Sequence, residues 1–137
     1  MDKNHVEAWW ISLILRFSIA SLFVAAVVPK FTGGLDGVVM NFQNTFKDTW
    51  LPPALVTLYA RFIPFIEVII PIWLISGFKL RVAWVFTVVV LISLAFGMAV
   101  AKHYDVAADN FFYVMMACLG LYVSQFDRCQ IGCGCKK

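Results

Sequence analysis

Four apolar runs, each close to the length needed to cross a bilayer, constrain this chain of 137 residues more than any motif in it. They cover about 8–28, 54–77, 82–101 and 107–123, and spans of about 20 residues apiece leave only short connections between them. The third run carries no charge at all, while the fourth is the shortest and includes Asn110, Tyr113 and Tyr122. With 62% hydrophobic residues, 14% charged residues and a mean hydropathy of +0.85, the chain falls outside the range of soluble domains. The expected fold is an all-α integral membrane four-helix bundle, with residues 1–127 forming the four-span unit and 128–137 a separate tail.

The connection between spans one and two, LDGVVMNFQNTFKDTWLPP, places Val39, Phe42 and Phe46 at helical spacing opposite Asn41, Gln43, Asn44 and Lys47. This pattern predicts a short amphipathic helix in the membrane interface that partly caps the bundle. Pro29 and the pair Gly33–Gly34 read as the exit from span one, and Pro64 and Pro71 predict kinks or opened backbone inside span two. Trp9 and Trp10 suit an interfacial belt.

Charge sets the expected orientation. Lys3, Lys79, Arg81, Arg128, Lys136 and Lys137 fall on the side of the termini; Lys30, Lys47 and Lys102 fall on the other, accompanied by Asp36, Asp48, Asp105 and Asp109. By the positive-inside rule both termini are cytoplasmic, in an inner (cell) membrane. A net charge of +3 without a basic stripe excludes nucleic acid as a partner and leaves the lipid bilayer, other membrane or peripheral redox subunits, or further copies of the chain.

Charges inside the spans point to a site. A charge at the bilayer centre costs about 2.5–3.5 kcal/mol on insertion scales, so it faces the bundle interior and finds a partner. Counted from the span ends, Arg16 and Glu67 differ in depth by only about 5 Å, within reach of an arginine, and an Arg16–Glu67 pair is expected. Arg61 precedes Glu67 by six positions, which turns it by about 240° and raises it by about 9 Å, near enough to the boundary to snorkel. The candidate buried polar site is therefore Arg16 and Glu67, with Arg61 as a competing partner and Asn110 as an extension from span four. It serves proton transfer or a small ligand such as a quinone, or it is an ion pair that fixes helix packing. His103, in the outer loop with Tyr104 and Asp105, reads as a solvated side chain.

The tail FDRCQIGCGCKK spaces Cys129, Cys133 and Cys135 as C-x3-C-x-C beside lysines, which lower thiol pKa values. Such thiolates suit a soft metal, Cu or Zn, or disulfide exchange, although three ligands leave a tetrahedral site incomplete. A flexible reduced tail is the alternative, and Cys118 lies apart in span four.

In the order RFSIASLFVAAVVPKFTGG, LPP and FIEVIIPIWLISGFKLRVAW, the chain resembles the DoxX family of small four-span membrane proteins, through Arg16, Lys30, Glu67, Gly77 and Arg81. The resemblance spans about residues 12–124. It implies a four-helix membrane bundle acting as a partner subunit of oxidoreductases, in quinol oxidation, thiosulfate-to-quinone electron transfer, or thiol and oxidative-stress complexes. Val28 and Pro29 stand where a glycine usually precedes the span-one lysine, and the cysteine tail is no feature of that family. Haem is not expected, because no histidine lies within a span. Three functions stay open: a subunit of a quinone- or thiol-linked redox complex, a soft-metal or thiol handler using the tail, or an assembly module without chemistry.

Overall fold

A computed structural model of the protein describes residues 3–126. Five helices follow one another: α1 (Lys3–Thr32), α2 (Leu35–Thr45), α3 (Pro53–Ser76), α4 (Leu80–Val100) and α5 (Tyr104–Val123), closed by a 3-10 turn at Ser124–Phe126. No strand occurs among the described residues. All but α2 are long and apolar enough to cross a membrane, so the protein is a multi-span membrane bundle.

The inward faces follow helical periodicity. On α1 the buried positions run Ser12, Leu15, Arg16, Ile19, Phe23 and Val27, and on α3 Ala60, Ile63, Glu67, Ile70 and Leu74. The outward faces carry Ile14, Phe17, Leu58, Phe62, Ile69, Val85 and Phe112, all exposed, as suits a bundle whose solvent is lipid. α1 packs between α3 and α5, and α4 between the same two helices. Small residues allow the closest approach: a Cβ on Gly120 of α5 would stand 2.5–2.7 Å from ring atoms of the fully buried Trp84 on α4.

α1 does not stop where the sequence suggests. It continues through Pro29 to Thr32 and ends at Gly33, whose N–H donates to the Pro29 carbonyl at 3.0 Å, before Gly34 turns the chain at φ 80°. Pro29 forgoes only its own hydrogen bond to the preceding turn, a loss that a long helix packed along its length absorbs. α3 is likewise helical throughout despite Pro64 and Pro71, both buried; these leave the carbonyls of Ala60 and Glu67 without their helical donors. Gly77, at φ 72°, caps α3 in the left-handed conformation, and Trp73 Nε1 donates to the Phe78 carbonyl at 2.7 Å to close the turn into α4.

α2 lies across the α3 end of the bundle. Val38 and Phe46 are buried and Val39 and Phe42 half-buried, while Asn41, Gln43, Asn44 and Lys47 are exposed. It is the short amphipathic helix the connection encodes.

Candidate functional site

Glu67 is the anchor. It sits on the inward stripe of α3, its side chain 3% exposed, and both carboxylate oxygens accept from Lys30 Nζ, at 2.6 and 2.5 Å. Lys30 reaches it from the last turn of α1, where an ammonium also faces the negative end of the helix dipole. Its side chain is 23% exposed, so the pair is asymmetric: a sealed carboxylate and a lysine side chain that is partly exposed.

The expected Arg16–Glu67 pair gives way to this one. A Cβ on Gly77 would lie 3.8 Å from Arg16 Nη1, which sets the guanidinium at the far end of α3, ten residues and about 15 Å from Glu67. The error lay in aligning the span ends. Phe31 of α1 stacks edge-on with Phe65 of α3 at 6.0 Å, and Val24 and Val27 share a groove with Val68 and Ile72. In that antiparallel register position 8 lies about 16 Å beyond the level of Gly77, so depths counted from the two span ends are not comparable. Arg16 remains buried, at the opposite end of the bundle from Glu67.

Arg61 is exposed and lies outside the buried site. Asn110 is half-buried and directs its amide to the Val106 carbonyl of its own helix, at 3.0 Å. His103 is exposed at the start of α5, and Cys118 is a free, exposed thiol. Cys129, Cys133 and Cys135 lie outside the described residues, among which no cluster of three or more His, Cys, Asp or Glu could hold a metal.

In sequence, Lys30 falls on the outer side, two residues past the first apolar run. Its signal was nevertheless present, because Lys30 extends the stripe Phe23–Val27 by three residues, and a helical side chain leans towards the N-terminus of its helix, here back into the bundle.

Beside Lys30, between α1 and α2, opens a cavity of about 510 Å³ lined by Pro29, Gly33, Gly34, Gly37, Asn41 and Phe42, among others. A second, of about 140 Å³, lies between α2, α3 and α4; Tyr59 and Ser93 line it, their hydroxyls 3.0 Å apart. The first has the size of a small-molecule site, and Lys30 and Asn41 are the polar side chains among its lining residues.

Against known proteins, the family model described as methylamine utilisation protein MauE matches residues 8–110, well over half of the chain and enough to include Lys30 and Glu67. No curated protein and no solved structure matches.

Proposed function

The chain belongs to the MauE family, and from that membership we propose that it is an integral membrane subunit of a redox-linked process, with its ligand site at the Lys30–Glu67 pair. The observation that carries this reading is the partly exposed Lys30 side chain lining a 510 Å³ cavity, its ammonium paired with a sealed carboxylate. An ionisable pair inside a membrane bundle marks a functional site by default.

The arrangement also selects a ligand class. Two of the three Lys30 N–H groups are directed at Glu67, leaving one for a ligand that accepts a hydrogen bond. Because the pair is neutral as a unit, an uncharged carbonyl adds no net charge to the low-dielectric interior, whereas an anion would. A quinone headgroup fits those terms and would supply two-electron chemistry with a partner's redox centre. In this reading Lys30 orients the carbonyl and Glu67 holds the lysine in place. The resemblance to DoxX proteins points the same way. The excess of Lys and Arg on the side of the termini supports cytoplasmic termini.

The test is quinone extraction from the full-length protein purified in mild detergent. Wild type is expected to retain a quinone, and Lys30→Met/Glu67→Met, an apolar replacement of the pair, to lose it while keeping its helical circular dichroism. Equal retention by a folded double variant, or no quinone in either protein, would refute the assignment.

A further inference from the structure

Arg61 is an exposed charge in the middle of a membrane-spanning helix, α3, and has no part in the site described above. It sits on the outer face of that helix with Leu58, Phe62 and Phe65, all exposed apolar side chains. No carboxylate, hydroxyl or ring among the described residues pairs with it. An arginine so placed is costly in lipid unless something outside the chain answers its charge.

Its depth indicates what that is. α3 has 24 residues and is about 36 Å long against a hydrocarbon core of about 30 Å; centred in it, Arg61 lies about 9 Å below the boundary at the Pro53 end. Helical side chains lean towards the N-terminus, so the guanidinium rises towards that boundary. One turn above, on the same face, is Thr57, whose hydroxyl donates to the Pro53 carbonyl at 2.9 Å and accepts from Gln43 Nε2 of α2 at 2.9 Å. This bond ties α2 to α3 and leaves Gln43 one further amide N–H. The result is a ladder of polar groups, Arg61 then Thr57 and Gln43, climbing an otherwise apolar face to the level where headgroups begin.

We propose that Arg61, with Gln43 above it, binds the phosphodiester of an anionic phospholipid in the leaflet at the α2 end of the bundle. The guanidinium fork matches two phosphate oxygens, and the two charges cancel where neither is well hydrated. The flanking Leu58, Phe62 and Phe65 offer the acyl chains an apolar surface. This site is independent of the Lys30–Glu67 pair, which faces inwards.

Native mass spectrometry of the full-length protein, titrated with phosphatidylglycerol, phosphatidylcholine or inorganic phosphate, tests the proposal. Wild type should bind phosphatidylglycerol in preference to phosphatidylcholine, and inorganic phosphate should not displace it at equal concentration. Arg61→Gln should weaken phosphatidylglycerol binding about tenfold, the size of a lost charge-assisted hydrogen bond, with Arg61→Lys in between. Gln43→Ala, at an exposed position, should weaken it severalfold and serves if Arg61→Gln does not fold. Affinity unchanged within about twofold in the folded variants overturns the proposal. So does displacement by free phosphate, or a co-purifying protein that Arg61→Gln releases while lipid binding persists.

Discussion

Replacing the two halves of the Lys30–Glu67 pair one at a time should give unequal costs, because the two side chains are unequally buried. Lys30→Met strands a carboxylate that is 3% exposed, and removing one partner of a buried pair costs about 3–5 kcal/mol. Glu67→Met strands an ammonium that is 23% exposed and can swing into the cavity lined by Gly33 and Asn41, and about 1–2 kcal/mol is expected. The double variant removes both charges and substitutes apolar side chains of similar length. Such replacements of buried pairs are often neutral or stabilising, so it should be no worse than Glu67→Met alone. The coupling energy from this cycle should then reach about 3 kcal/mol or more. Reversible unfolding in mixed micelles, followed by tryptophan fluorescence and circular dichroism, measures all four proteins. Ordinary hydrogen bonds between membrane helices couple by about 0.6 kcal/mol on average. A coupling of that size, with equal single-variant costs, would refute the claim that the sealed carboxylate depends on Lys30 as its partner.

Two further predictions concern the packing that holds the site. Gly120→Ala sets a methyl group 2.5–2.7 Å from the Trp84 ring, which is fully buried and cannot retreat, so α4 and α5 must separate at a cost of about 1–3 kcal/mol; a red-shifted Trp84 emission and lower melting temperature would show it, and an unchanged melt would contradict the close approach. Tyr59→Phe removes the hydroxyl bond to Ser93 between α3 and α4 and should cost about 0.6 kcal/mol, while Tyr59→Phe/Ser93→Ala should cost little more; additive losses in thermal melts would show that the two hydroxyls do not act together.

The four spans were legible because bilayer thickness fixes their length and nothing else in the chain competes for those apolar residues. The capping helix was legible for a similar reason: Val39, Phe42 and Phe46 fall on one face whatever α2 packs against. Glu67 stood out because a carboxylate among isoleucines and prolines has no other explanation. Its partner did not, for two local reasons. Pro29 reads as a helix stop, yet α1 continues one turn beyond it and carries Lys30 inside. Arg16 looked level with Glu67 only because both spans were assumed to begin and end together, whereas the antiparallel register staggers them. That register depends on side chains meeting across helices, such as Phe31 with Phe65, and no single helix encodes it.

The stagger bears on what the Lys30 site can admit. Had Arg16 paired with Glu67, a guanidinium with five donors would have met the carboxylate and retained several donors for an anionic ligand. In the proposed site Lys30 would offer one remaining N–H, and from the C-terminal turn of α1, where the unsatisfied carbonyls carry partial negative charge. Glu67 adds a full negative charge from behind, so a second anion entering from the cavity meets an ammonium already neutralised and a field that repels it. A neutral acceptor meets no such penalty and needs only the remaining N–H. In the proposed site the lysine would therefore narrow the ligand by charge where an arginine would widen it, and Lys30→Arg should loosen that discrimination rather than abolish binding.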